Sequence, residues 1–338
     1  LLTVDPYPYQ MEGIKYFSSL YGRIPGAVLA DEMGLGKTLQ AIGLILHVKS
    51  SGAPGPHLVL APASLLENWS REFLKFAPSL RVHKRLRDLR TFEPGAYQEV
   101  DVVISSYEIL VNDIGYLNTI DWGVLVADEA QYIKNPNAVR SIRANQLKRS
   151  FSLALSGTPF ENHMTDIWSL TNFAFPGYLG ELEAFVQSHP DSIESARKLE
   201  PRLAPVMLRR RVKDVQKDLP DRIDSTVVLE PPSELIARQR SILQDAAIPL
   251  VARLTNLRTA AAHATATYGE FLLSPKFERV KALLESAYQN NERVLIFTSF
   301  NQTAQHLARA LQEYWPGSYV DCINGDSPAE LRQGQVDN

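Results

Sequence analysis

Residues 31–38 read DEMGLGKT, and this stretch decides the fold prediction for the whole chain. It follows an apolar run, AVLA (27–30), and precedes the helical pattern LQAIGLILHV, which begins after Thr38. Glycines at a strand–helix junction let backbone N–H groups close around phosphates, and the helix N-terminus adds a favourable field. We therefore predict a phosphate-binding loop in which Lys37 reaches the β- and γ-phosphates and the Thr38 hydroxyl binds Mg²⁺. The general pattern begins with glycine, whereas this chain has Asp31.

A second stretch, VLVADEAQ (124–131), is an apolar strand that ends in two carboxylates. In a parallel sheet, ligands bind at the edge formed by the carboxyl ends of the strands. We predict that Asp128 holds Mg²⁺ and that Glu129 polarises the attacking water, which are two roles that phosphoryl transfer needs. The two stretches together predict a site for a nucleoside triphosphate with Mg²⁺. ATP is favoured because the sequence has no NKxD-type signature for guanine.

Short apolar runs alternate with helical patterns through the first 175 residues. Continuous apolar runs are typical of parallel strands buried on both faces, so the alternation predicts an α/β domain with a parallel sheet. Besides AVLA, the strand candidates are HLVLA (57–61), DVVIS (101–105), WGVLVA (122–127) and FSLALS (151–156).

The later part of the chain changes character. Residues 166–214 and 233–262 read as mainly helical. A second α/β unit is then predicted, with helices at KFERVKALLESAY and QTAQHLARALQEY and with strands at RVLIFTS (293–299) and SYVDCI (318–323).

Length and composition set broad limits. The 338 residues predict two or three domains at roughly 100–200 residues each. No apolar run approaches the ~18–20 residues that cross a bilayer, and the N-terminus lacks the pattern of a signal peptide. The single cysteine, Cys322, excludes a disulfide framework, an iron–sulfur cluster and a cysteine-rich zinc site. We expect an intracellular protein without a membrane partner, in the cytoplasm or nucleoid of a bacterium or in the nucleus of a eukaryote.

The charge balance bears on nucleic-acid binding. The chain has 35 basic and 38 acidic residues, a formal net charge of −3. A protein that coats nucleic acid by bulk charge carries a basic excess, so DNA binding here requires a local groove. We expect such binding to be weak at physiological salt.

Further segments occur in a fixed order along nearly the whole chain. They are PYPYQMEGIKYF (6–17), LADEMGLGKTLQAI (29–42), LVLAPASLLENWSREF (58–73), VVISSYEIL (102–110), VADEAQYIKNP (126–136), LALSGTPFENHMTDIWSLTNFAFP (153–176), PVMLRRRVKDVQKDLP (205–220), SPKFERVKALL (274–284) and VLIFTSFNQTA (294–304). In these segments the chain resembles the SWI/SNF-type ATPases of helicase superfamily two, the family of chromatin remodellers and repair translocases.

The resemblance implies a fold and an activity. Residues 1–205 would form a RecA-like P-loop lobe with a parallel sheet and a helical protrusion at about 160–205. Residues 206–338 would form an interlobe segment, a helical insertion and the N-terminal part of a truncated second RecA-like lobe. The implied protein is a DNA-dependent ATPase that translocates along or remodels double-stranded DNA. Its partners would be double-stranded DNA, contacted at phosphates without sequence preference, and nucleoprotein or other proteins.

By position, the resemblance also assigns the nucleotide site. Nucleotide-binding roles fall on Gln10, Asp31, Met33, Gly34, Leu35, Gly36, Lys37 and Thr38; catalytic roles on Lys37, Asp128, Glu129 and Gln131; and Mg²⁺ ligation on Thr38 and Asp128. An acidic residue in place of the first glycine, such as Asp31, is usual for the family. For Gln10, an alternative interpretation is a polar residue that starts a helix.

DNA-binding roles fall on Ser64, Asn68, Trp69, Ser105, Ser106, Tyr107, Thr158, Ser299, Phe300 and Gly325. Core packing is an alternative for Trp69, since its i, i+4 spacing with Phe73 suits a buried helix face. The basic residues 209–211 fit either a solvated helix face or, for Arg209 and Arg210, an interlobe role.

Two other functions stay open. One is a strand-separating helicase or a restriction-type translocase, and the other is an ATP-gated DNA-binding scaffold. The resemblance places the family's last two motifs, which carry its arginine fingers, beyond Asn338. Because an arginine finger is typically worth ~10³–10⁵ in rate, we expect these 338 residues to bind ATP but hydrolyse it slowly.

Overall fold

The computed structural model describes residues 2–53, 55–87, 91–93, 95–158, 163–215, 223–263, 265–325, 327 and 335. The chain divides into two compact units, Leu1–Pro220 and Asp221–Asn338. The lobe boundary predicted after residue 205 stays a prediction. Within the described residues, no helix has the length and apolar character needed to cross a membrane.

The first unit is built on a parallel sheet. Its strands are β1 (Gly26–Leu29), β2 (His57–Ala61), β3 (Val82–Arg85), β4 (Val102–Ser106), β5 (Trp122–Ala127), β6 (Arg149–Leu155) and β7 (Met207–Leu208). They lie in the order β3-β4-β2-β5-β6-β1-β7, and each pairing is parallel. The predicted α/β domain with a parallel sheet is confirmed.

Helices cover both faces of this sheet. The helices of the first unit are α1 (Pro8–Leu20), α2 (Lys37–Ser50), α3 (Leu66–Phe76), α4 (Tyr107–Leu117), α5 (Val139–Gln146), α6 (Met164–Ala174), α7 (Leu182–Ser188), α8 (Ile193–Leu203) and α9 (Val212–Val215), of which α1 to α6 pack on the sheet. Val59 packs on one face with residues of α1, α2 and α3, while its neighbour Leu58 packs on the other face with residues of α4, α5 and α6. Because both faces are buried, the inner strands β1, β2 and β5 are mainly apolar.

The strand order decides where a ligand site lies. β5, β6 and β1 are neighbours in the sheet, and β6 lies between the other two. Their carboxyl ends lead into Asp128, Ser156 and the loop at 30–36, respectively. Three segments that are far apart in the sequence therefore meet at one edge of the sheet.

Two strands were not predicted. β3 reads VHKR and pairs along one side only, at the edge of the sheet, so it needs few apolar residues. β7 has only two residues, which is too short for a periodic signal. The helical character predicted after residue 166 is confirmed, because α6, α7 and α8 share a small core that includes Met164, Phe185 and Leu199.

The second unit is helical in the residues that the structure describes. It contains α10 (Ser233–Gln244), α11 (Leu250–Ala261), α12 (Tyr268–Leu272), α13 (Pro275–Gln289) and α14 (Asn301–Tyr314). Phe271, Phe277 and Leu307 belong to its core. The strands predicted at 293–299 and 318–323 are wrong, since neither segment has a paired neighbour among the described residues. A parallel strand forms only by hydrogen bonding to a neighbour, and Phe297 is 91% exposed.

Candidate functional site

The loop after β1 has the backbone of a phosphate-binding loop. Gly34 and Gly36 have φ angles of +86° and +71°, in the left-handed region where glycine is favoured. Gly36 directly precedes α2, so the unpaired N–H groups at the start of this 14-residue helix face the loop. A Cβ atom at Gly36 would clash with the amide nitrogen of Gln10. This arrangement favours an anion at the start of α2.

Lys37 lies across the loop. Its Nζ donates to the carbonyl oxygen of Asp31 at 2.9 Å and to that of Glu32 at 3.3 Å. Burial lowers the pKa of Lys37, while the nearby carboxylates of Glu129, Asp31 and Asp128 act in the opposite direction. The ammonium group thus lies near the acidic residues at the end of β5, as a phosphate-binding lysine requires.

Asp128 accepts three hydrogen bonds from described residues. Its Oδ2 accepts from Trp69 Nε1 at 2.8 Å, and its Oδ1 accepts from the backbone N–H of Glu129 at 2.9 Å. Its carbonyl oxygen accepts from the Tyr107 hydroxyl at 2.7 Å. Burial raises the pKa of Asp128, and the bonds from Trp69 and the Glu129 backbone oppose that rise. The carboxylate is oriented before any ligand binds.

Glu129 and Gln131 form the other side of the site. Glu129 has φ +46° and ψ +55°, a left-handed conformation that is uncommon for residues other than glycine and frequent at functional sites. Its Oε2 accepts from Gln131 Nε2 at 2.6 Å. The Ser156 hydroxyl donates to Gln131 Oε1 at 3.5 Å, and the Thr158 N–H donates to Ser156 Oγ at 3.2 Å. Gln131 therefore connects Glu129 to the end of β6.

Asp31 does not face a ligand. Its side chain is fully buried and accepts from the backbone N–H of Arg210 at 2.9 Å and from Arg210 Nε at 3.1 Å. Arg210 also donates to Gln40 Oε1 at 2.6 Å and to the carbonyl oxygen of Tyr9. The Asp31 carboxylate is thus occupied by Arg210, and the nucleotide-binding role assigned to position 31 stays a prediction.

Gln10 starts a helix and also contacts the predicted phosphate loop, and its nucleotide-binding role stays a prediction. It lies in the first turn of α1, where its Oε1 accepts from the backbone N–H of Tyr7 at 3.0 Å. Its Nε2 donates to the carbonyl oxygen of Leu35 at 3.2 Å, which places it against the phosphate loop. On the same loop, Met33 is exposed.

Residues 9–297 match the family model of the SNF2-related domain. The chain belongs to this family. It is 33% identical over 360 residues to "Putative ATP-dependent helicase/translocase YwqA" of Bacillus subtilis, which covers 98% of this chain and 39% of that protein. It is 30% identical over 365 residues to the mouse "SWI/SNF-related matrix-associated actin-dependent regulator of chromatin subfamily A member 1". This alignment covers 97% of this chain and 34% of the mouse protein. The chain thus spans two-fifths or less of the length of these two relatives.

Solved structures agree with this assignment. The Sulfolobus solfataricus SWI2/SNF2 ATPase core in complex with dsDNA has a TM-score of 0.61 and 28% identity, over 93% of this chain and 71% of that one. The structure of the "Sulfolobus solfataricus SWI2/SNF2 ATPase core domain" also gives a TM-score of 0.61 and 28% identity, over 99% of this chain and 74% of that one. The predicted RecA-like fold is confirmed by these matches.

The SNF2-related domain offers suitable ligands for Mg²⁺. Thr38 is partly exposed at the start of α2, and Asp128 keeps a second lone pair on each carboxylate oxygen beyond its hydrogen bonds. Mg²⁺ prefers oxygen ligands and commonly binds through one or two side chains together with substrate phosphates. Within the described residues, no cluster of three or more histidine, cysteine or acidic side chains forms a metal site. The donor set fits Mg²⁺ bound jointly with a nucleotide.

The predicted DNA-binding residues differ in accessibility. Ser64, Thr158, Ser299 and Gly325 are exposed, and Asn68 and Phe300 are half-buried. The other four, Trp69, Ser105, Ser106 and Tyr107, are buried in the first unit. The DNA-binding roles of these four residues stay predictions: in this structure Trp69 and Tyr107 bind Asp128, Ser106 caps α4 and Ser105 lies inside the sheet. Trp69 packs in the core, as the alternative interpretation expects.

Two contacts of this site escaped the sequence analysis. One is the pair of donors on Asp128, Trp69 and Tyr107, and the other is the binding of Asp31 by Arg210. A signal existed for the second contact, because a carboxylate between an apolar strand and a glycine loop is buried and needs a cationic partner. Nothing in the sequence shows which arginine supplies it.

Proposed function

We propose that this chain is the ATP-binding core of a Mg²⁺-dependent, double-stranded DNA translocase. The observation that carries the proposal is the meeting of Lys37, Asp128, Glu129 and Gln131 at the edge formed by β5, β6 and β1. These are the groups that phosphoryl transfer to water requires.

Each side chain has a task in this proposal. Lys37 exchanges its bonds to the carbonyl oxygens of Asp31 and Glu32 for the β- and γ-phosphates. Thr38 and Asp128 would hold Mg²⁺, which neutralises charge that develops on the transferred phosphoryl group. Glu129 orients the attacking water, and Gln131 holds the Glu129 carboxylate in place. Gln131 also contacts Ser156, so a change at Glu129 reaches the segment that continues to Thr158.

Two observations support DNA as the partner, and the charge of the chain limits how it binds. A solved relative with a TM-score of 0.61 is an ATPase core in complex with dsDNA. Ser64, Asn68 and Thr158 are accessible polar residues in the first unit. Because the net charge is −3, the chain cannot attract DNA by an overall basic surface, and binding would rest on a few local phosphate contacts. Such binding is sequence-tolerant and weakens as salt increases.

The test is an ATPase assay of the 338-residue chain with and without duplex DNA. Duplex DNA is expected to stimulate hydrolysis, and Glu129→Gln is expected to abolish it while nucleotide binding persists. Slow hydrolysis by the 338-residue chain stays a prediction that the same assay measures. Activity that ignores DNA would refute the translocase.

Two further assays separate the alternatives. Displacement of a third strand from duplex DNA without unwinding of a forked duplex indicates translocation, whereas unwinding of the fork indicates a strand-separating helicase. A native protein that neither displaces the third strand nor unwinds the fork, and that behaves like its Glu129→Gln variant, indicates an ATP-gated scaffold. A scaffold needs no attacking water, so the substitution leaves it unaffected.

A further inference from the structure

Asp128 receives hydrogen bonds from two helices that carry no other part of the nucleotide site. Trp69 lies on α3 and donates to its carboxylate, and Tyr107 is the first residue of α4 and donates to its carbonyl oxygen. Each of these two aromatic side chains is only 1% exposed. An indole N–H donates and never accepts, so Trp69 fixes one lone pair of Oδ2 and leaves the other available.

The two donors approach from opposite faces of the sheet. Trp69 packs with Phe73 in the core formed by α1, α2 and α3, with ring centroids 5.8 Å apart. Tyr107 belongs to the core on the other face and stacks on Tyr132, with centroids 5.6 Å apart and planes at 4°. Packing therefore holds both donors in place, and Asp128 is fixed from both layers of the first unit.

The segment before Trp69 is accessible. Ser64 is exposed, Asn68 is half-buried, and Asn68 is adjacent to Trp69 in the same helix. A ligand that displaces the start of α3 also displaces the backbone of Trp69, since a helix moves as a rigid element. The only polar atom of the Trp69 side chain is bonded to the carboxylate of Asp128.

We propose that Trp69 and Tyr107 are positioning residues that set the Mg²⁺ affinity of the nucleotide site and couple it to DNA contact at Ser64 and Asn68. The coupling rests on the proposed function, because it requires that DNA binds this face. The positioning of Asp128 by Trp69 and Tyr107 does not depend on DNA binding. Outer groups that orient a metal-binding side chain typically change metal affinity about 10–100-fold when removed.

The first test measures the Mg²⁺ concentration that half-saturates binding of a fluorescent, non-hydrolysable ATP analogue. Trp69→Phe removes the N–H and keeps an aromatic ring, and we expect it to raise this concentration about 10-fold. Trp122→Phe is the matched control: Trp122 is equally buried at the other end of β5, and its N–H donates to the Leu117 carbonyl oxygen at 3.0 Å. A Trp69→Phe protein that matches the control overturns the proposal.

Tyr107→Phe tests the same idea without a loss of ring volume. It removes one hydroxyl, which donates to a carbonyl oxygen at 2.7 Å, and it should also raise the half-saturating Mg²⁺ concentration. Tyr178→Phe is its control, because the Tyr178 hydroxyl donates to the carbonyl oxygen of Arg202 at the same distance. Equal values for both tyrosine variants contradict the positioning role, and this pair remains decisive if Trp69→Phe fails to fold.

The second test repeats the Mg²⁺ titration with saturating duplex DNA, whose binding is measured by fluorescence anisotropy. We expect DNA to lower the half-saturating Mg²⁺ concentration of the native chain and to have a smaller effect on Trp69→Phe. If the native chain binds no DNA, the DNA part of the proposed function fails and the coupling with it, while the first test still decides the positioning role. If DNA binds without changing the Mg²⁺ titration, the coupling is refuted and the proposed function stands.

Discussion

Replacing Arg210 by glutamine tests the buried ion pair behind the phosphate loop. The Asp31 side chain is fully buried and that of Arg210 is 13% exposed. The variant removes the guanidinium group and leaves a buried carboxylate. Asp31 then keeps only the donors from the backbone N–H of residue 210 and from Gln40 Nε2, at 2.9 and 3.2 Å.

The expected loss of stability follows from this burial. Removing one partner of a buried ion pair costs about 3–5 kcal/mol. Because two donors to Asp31 survive, we expect the lower end, about 3 kcal/mol. For a unit of this size, Leu1–Pro220, that corresponds to a decrease of roughly 6–12 °C in the unfolding temperature.

The assay is thermal and urea unfolding, with two neighbouring arginines as controls. Arg209 and Arg211 are exposed, so Arg209→Gln and Arg211→Gln should each change stability by less than about 0.5 kcal/mol. The double variant Asp31→Asn with Arg210→Gln should be more stable than Arg210→Gln alone, because no unpaired buried charge remains. The reasoning is refuted if Arg210→Gln costs no more than its neighbours, or if the double variant loses the sum of both single losses.

Two further predictions concern the single positions His57 and Gly36. Burial lowers the pKa of His57 from 6.5 to about 4, against the opposing effect of Asp101. The folded chain therefore binds fewer protons than the unfolded chain between these values, and about 3 kcal/mol of stability present above pH 6.5 is lost as the pH falls to 4. His57→Gln should flatten this pH dependence in urea unfolding, and the exposed His47→Gln should not; equal slopes in all three proteins would contradict it. Gly36→Ala forces a left-handed alanine against Gln10 and should weaken ATP binding about tenfold, or 1.4 kcal/mol. Gly52→Ala, with the same sign of φ and open space around it, should leave ATP binding unchanged, so similar affinities for both variants would argue against the role of Gly36.

The sequence predicts those parts of the fold whose signal is local. The strands His57–Ala61 and Trp122–Ala127 were predicted to the residue, because every position is buried and nearly all are apolar. The apolar run at 293–299 carries a similar signal and forms no strand, since strand formation also requires a partner, which an apolar run does not reveal. At the site, too, the sequence does not reveal a distant partner: Arg210, which binds Asp31, lies 179 residues away in the chain.

The structure gives a physical reason why position 31 is aspartate, where the general phosphate-loop pattern has glycine. Pairing between β1 and β7 continues past both strands, since the Ala30 N–H donates to the Leu208 carbonyl oxygen and the Glu32 N–H to that of Arg210. The Glu32 carboxylate then accepts from the Val212 N–H at 2.7 Å. A side chain at position 31 can therefore lie against residue 210 and away from the phosphates, and a carboxylate there binds the arginine. The carbonyl oxygens that hold Lys37 belong to the same residues, Asp31 and Glu32. Under the proposed function phosphate takes Lys37 from those carbonyl groups, and the peptides that change are then the ones bonded to the segment leading out of the first unit.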